Sequence, residues 1–194
     1  ITYLVEWTLP EQMQEMQSNF PSQITVYIKA DSSTVITESP MYTSSIIMHL
    51  PSDFERLLLD IPLMGKKYSV IFGPEDRKKM IDQMPSIELK ETKQTKTLAG
   101  YQVRKYDGRD KKSGQVFDAW FSKDVDIIPN ALSRFYEKSY GFPVEFTSFL
   151  NGFTLKASLK EVKKMSVPAD AFSASKDYEE ITVDQLIQLS GAGE

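Results

Sequence analysis

Residues 95–124, TKTLAGYQVRKYDGRDKKSGQVFDAWFSKD, constrain the fold more than any other stretch of this chain. One arm (100–106) is rich in aromatic and β-branched residues, and a second (115–122) alternates apolar with polar. A polar tip carrying Gly108 and Gly114 joins them, so the pattern predicts a β-hairpin. Large aromatic rings on both faces need apolar cover. The hairpin is therefore expected inside a curved antiparallel architecture and central to its sheet, with Tyr101, Val103, Phe117 and Trp120 largely buried.

Strand patterns recur along the rest of the chain. In 1–9, Ile1, Tyr3, Val5, Trp7 and Leu9 share one face, and Thr2, Glu6 and Thr8 the other. Further strands are predicted at 22–30, 34–38, 42–50, 54–61, 66–72 and 87–92, with breakers at 51–53 and 62–65. A last hairpin, 144–150 with 153–164, is predicted to turn on Asn151-Gly152, a dipeptide suited to a type I′ turn. Helices are expected at 11–18, at 75–84 behind Pro74, at 128–139 and at 182–189. In the third of these, Ile128, Leu132, Phe135 and Tyr136 form one stripe to lay on the sheet. The sum is about ten strands with inserted helices, an α+β, mainly β fold. No repeat or linker divides the 194 residues, so residues 1–194 are expected to form a single domain.

The residues exclude most chemistry. Without cysteine there can be no disulfide, thiolate nucleophile or Cys-bound zinc. His49 is the only histidine, which rules out a two-histidine metal site, and it reads as a surface or edge residue. Acidic pairs such as Glu75-Asp76 and Glu179-Glu180 fall where a first helical turn or a solvated tail accepts them. No glycine loop suited to phosphate and no calcium-loop spacing occurs. The net charge of −4 gives no basic face for a nucleic-acid partner, and the basic run at 109–112 reads as a solvated hairpin tip. No enzymatic activity, metal or cofactor is expected.

Methionine usage is more suggestive. Met13 and Met16 share a face of the first expected helix, and Met80 and Met84 a face of the second. Flexible thioethers suit surfaces that adapt to irregular partners. Two such helices could cover an apolar cavity, or they could simply pack on the sheet as amphipathic helices do. If a cavity exists, Tyr3, Val5, Trp7, Val26, Ile28, Phe146 and Leu155 are the strand residues expected to line it, together with Met13, Met16, Met80 and Met84.

The run Lys96 to Tyr101 (KTLAGY), the Lys105-Tyr106 pair, and Trp120-Phe121 with Asp124 just beyond resemble the core signature of an envelope domain of Gram-negative bacteria. Gly141-Phe142-Pro143 is similar to that domain's entry to its next hairpin, and Val167-Pro168 with Phe172 and Tyr178 to its close. That domain is in turn similar in layout to the periplasmic lipoprotein carriers, whose open half-barrel holds acyl chains on a concave face covered by helices. This chain opens at Ile1 in strand pattern, without the carriers' leading helix and without a match to their lid-contacting arginine. The resemblance therefore implies apolar-ligand binding rather than lipoprotein transport as such.

Together these readings imply an open half-barrel with helices over its concave face, in an exported periplasmic or envelope protein whose signal peptide has been removed. Its partner would be a lipid, an acylated peptide or another hydrophobic molecule, with peripheral contacts to membrane or envelope proteins possible. The competing reading is a structural or protein-interaction domain whose barrel is filled by its own side chains.

Overall fold

The structure, a computed structural model, describes residues 1–150 and 153–189; the predicted Asn151-Gly152 turn lies outside them. Twelve strands form one open, mainly antiparallel sheet, two more than the sequence reading. The first six are β1 (Thr2–Thr8), β2 (Gln23–Lys29), β3 (Ser32–Glu38), β4 (Thr43–His49), β5 (Phe54–Ile61) and β6 (Lys66–Ile71). They lie side by side in chain order, as one meander. The next five are β7 (Ile87–Leu98), β8 (Tyr101–Asp110), β9 (Val116–Ser122), β10 (Phe142–Leu150) and β11 (Phe153–Glu161), and these form a second meander. β1 pairs with β11 along its whole length and joins the two halves. Two residues, β12 (Glu179–Glu180), add a parallel pair to the β6 edge.

Register explains the core. Residues opposite each other on paired strands share a face, and Val26, Val35, Ile46, Leu57 and Val70 form such a ladder across β2 to β6. Val5, Ala157 and Phe146 continue the buried face into the second half. Edge-to-face rings run through it from Tyr3 to Phe146, Tyr136, Phe121 and Tyr106, with centroids 5.3–5.7 Å apart. Polar ends in this core bond to backbone: the Tyr3 hydroxyl donates to the Pro143 carbonyl at 2.9 Å, the Tyr136 hydroxyl to that of Thr147, and Trp7 Nε1 to that of Pro21 at 2.7 Å.

The expected hairpin forms as β8 and β9, but it lies toward the β7 edge rather than at the centre of the sheet. Val103 and Trp120 are buried, whereas Tyr101 and Phe117 are half-buried. The β7–β8 turn is built on Ala99 and Gly100, with φ of 47° and 84°. Two successive positive φ values are what a type I′ turn needs. The KTLAGY run is thus a turn with its flanking strands, and turn geometry accounts for its Ala-Gly.

Two helices are corrected. In place of the α-helix expected at 128–139, residues 131–136 form successive turns and Lys138–Tyr140 a short 3-10 helix. Pro129 removes one amide donor, and side chains compete for the rest: Leu132 N–H donates to Asn130 Oδ1 at 3.0 Å, and Asn130 N–H to Ser133 Oγ at 3.3 Å. The packing survives the loss of the helix, since Leu132 and Tyr136 are buried and Ile128 and Phe135 half-buried. Residues Glu11–Asn19 form a 3-10 helix with no fully buried residue, Met13 being half-buried and Met16 40% exposed. Two methionines among glutamines, glutamates and a serine make too narrow an apolar stripe to dock.

The other helices form near their expected bounds, as α1 (Pro74–Gln83) and α2 (Val183–Leu189). α2 begins on a reciprocal cap, in which Gln185 N–H donates to Thr182 Oγ1 and Thr182 N–H to Gln185 Oε1. His49 sits at the end of β4 against Ser52 Oγ, at 2.6 Å. No helix among the described residues is long and apolar enough to cross a membrane.

Candidate functional site

α1 is fixed at both ends. Asp76 Oδ2 accepts the Gly73 N–H at 3.0 Å, and Pro74 occupies the first helical position. Arg77 bridges backwards, its Nη2 lying 2.6 Å from Asp53 Oδ2 and its Nη1 donating to the Phe72 carbonyl. At the other end, Lys112 Nζ donates to the carbonyls of Asp82 and Met84, both at 2.5 Å, where a cation complements the helix dipole. The basic tip read as merely solvated is therefore a helix clamp.

The clamp depends on Asp110, a buried carboxylate at the end of β8. Burial pushes its pKa up, but the Ser113 hydroxyl and the N–H groups of Lys112, Ser113 and Ser86 outweigh that and hold it below the usual range. A depressed folded-state pKa stabilises the fold above the unfolded value of about 4, and the contribution is lost as pH falls through the folded value. Urea melts at pH 7 and pH 3 are expected to show a larger loss for the wild type than for Asp110→Asn. Parallel losses in the two proteins would exclude Asp110 as the source.

With α1 held in this way, Met80 and Met84 turn toward the sheet while Ile81 faces solvent. Beneath them lies a groove of about 280 Å³. One wall is Ile46, Leu57 and Phe72 from the β4–β6 side; the other is Phe149 and Leu150 of β10 with Phe135 from the turns before it. β5 and β10 are six strand spacings apart in the sheet, roughly 29 Å if it were flat. For both to border one small space, the sheet must curl.

A single charged pair is set into this apolar lining. Glu55 on β5 is only 4% exposed, and Arg134 grips it with both ends of its guanidinium, at 3.0 and 2.7 Å. The pair bolts the turns around residue 134 to the far side of the curl. Three larger hollows are open clefts: those of about 650 and 710 Å³ run along β7–β9 with charged rims, where Glu91 pairs with Arg104 and Lys105 with Asp107 and Asp118, and one of about 330 Å³ lies against β12 and α2. No three His, Cys, Asp or Glu side chains among the described residues are grouped to hold a metal ion.

Of the residues expected to line a cavity, Met80 and Met84 border this groove. Tyr3, Val5, Trp7, Val26, Phe146 and Leu155 are packed inside the core, and Ile28 lies against its margin. Met13 and Met16 stand apart on the 3-10 helix. Sequence reasoning missed Glu55 and Arg134. The available signal was Glu55 itself, a carboxylate in step with Leu57 and Leu59 on the inward positions of a strand.

No protein-family model matches the chain. No curated protein matches it either. Among solved structures, the fold is similar to that of a chain of PNGF-II, with a TM-score of 0.54 and 14% identity. The match covers 97% of this chain and 32% of that one, so this chain spans about a third of the length of the protein that it matches. At that identity the likeness concerns the fold alone.

Proposed function

We propose that this protein is a non-enzymatic binder of a hydrophobic molecule, a lipid, acyl chain or acylated peptide, held in the groove under α1. The sheet then acts as a half-barrel with α1 as the cover of its concave side. One observation carries the reading: a pre-formed apolar groove whose cover presents two half-buried methionines, Met80 and Met84. Thioethers repack cheaply around varied guests. Its 280 Å³ lies just under the ~300–1,000 Å³ of typical ligand pockets, and each buried CH₂ contributes about 0.8 kcal/mol. The sequence resemblance to an envelope domain supports an exported, periplasmic setting.

Titration with the uncharged fluorescent probe N-phenylnaphthylamine tests the reading. Saturable binding by the wild type is expected, weakened about tenfold or more in Met80→Gln/Met84→Gln, since amides in an apolar lining strand polar groups. Absence of saturable wild-type binding would sink it. A second reading, a structural or interaction domain of the envelope, is favoured by the burial of Tyr3, Phe146, Leu155 and Val26 within the core, each at most 1% exposed.

A further inference from the structure

We propose that the groove under α1 selects a single-chain amphiphile with an uncharged carbonyl head, a fatty amide or ester, over a free fatty acid. The inference rests on the ligand-binding reading above and names its substrate class. At about 280 Å³, the groove is on the scale of one medium-length chain.

The head-group preference comes from the charged pair in the wall. A guanidinium has five N–H donors. Arg134 gives one from Nη1 to Glu55 Oε2 and one from Nη2 to Oε1, and its Nε lies 3.4 Å from the Ala131 carbonyl oxygen. Two donors remain, on a side chain that borders the groove. A neutral carbonyl oxygen can accept them without altering the charge balance. A carboxylate cannot do so as easily: Glu55 already neutralises the guanidinium, so a second anion would sit against a buried carboxylate that shares the same cation. In a poorly solvated site that repulsion is screened far less than in water. The groove therefore has a place for a hydrogen-bond acceptor and none for a further negative charge.

Displacement of N-phenylnaphthylamine at pH 7 by decanamide, methyl decanoate and sodium decanoate tests this, with every compound below its aggregation concentration. The readout is the ratio of amide to acid potency, compared between the wild type and two variants. Glu55→Gln leaves the Arg134 charge uncompensated, and Glu55→Gln/Arg134→Gln removes both charges, so the comparison survives if the uncompensated variant folds poorly. The wild-type ratio is expected to exceed that of the doubly neutral variant about tenfold, and Glu55→Gln is expected to reverse the preference toward decanoate. Equal ratios in wild type and double variant, with the probe bound, overturn the head-group selection and leave the groove a ligand site. A wild type that never binds the probe overturns the ligand-binding reading, and the selection with it.

Discussion

Replacing Phe146 with alanine is expected to destabilise the protein by about 3–5 kcal/mol. The ring is fully buried and stands edge-on to both Tyr3 and Tyr136, at 5.5 and 5.7 Å. Its cross-strand neighbour Ala157 is too small to fill the space from that side. The Tyr3 and Tyr136 hydroxyls are also committed to the carbonyls of Pro143 and Thr147, so neither ring can swing inward without losing a buried hydrogen bond. The cavity stays open, which places the cost at the upper end for a truncation of this kind. Urea unfolding measures it directly, and a loss below about 1.5 kcal/mol would mean that the centre of the core relaxes freely. Phe146→Leu, which keeps most of the volume, is expected to lose far less.

Gly141→Ala is expected to be comparably severe, for a reason unrelated to the core. Gly141 enters β10 with φ 103° and ψ −162°, a combination that only glycine adopts without strain. A Cβ there would stand 2.3 Å from the Ser122 carbonyl oxygen, which is backbone in a paired strand and cannot swing aside. Conformational strain of about 1–3 kcal/mol and an overpacking cost of similar size act at the same atom, giving about 3–5 kcal/mol together. Thermal melts of Gly141→Ala beside Gly65→Ala provide the contrast. Gly65 also has positive φ, but in the milder left-handed helical region (φ 59°, ψ 31°), and its Cβ would meet nothing within 4 Å, so only a strain of about 1–2 kcal/mol is expected there. Equal losses at the two sites would show that β9 yields and that the contact with Ser122 is soft.

The strands were legible because alternation is local. β1 reads inward at Tyr3, Val5 and Trp7, and those three are the ones buried. Residues 128–139 show where local reading fails: the apolar stripe was real, with Leu132 and Tyr136 buried and Ile128 and Phe135 half-buried, yet Pro129, Asn130 and Ser133 divert the amides that a helix would have used. Periodicity reports which side chains go inward, not how the backbone carries them there. Part of the candidate site was less accessible still. Met80 and Met84 stood out as a helical pair, but Glu55 and Arg134 meet across 79 positions of sequence. No window along the chain can reveal that contact, because it exists only once six intervening strand spacings have curled.

β1 carries a kinetic burden as well as a structural one. Its other partner β2 follows within 23 residues, as in Thr2 with Thr25, but Val5 pairs with Ala157, 152 positions later. During synthesis from the N-terminus, the first meander can form long before β11 exists. Through that interval, β1 presents an unpaired edge flanked by Tyr3, Val5 and Trp7, the kind of edge that recruits other chains. Pairings of such high contact order are slow even in the complete chain. Refolding yield should therefore fall with protein concentration, and a brief supply of residues 142–161 as a separate peptide should protect the nascent half by capping the waiting edge.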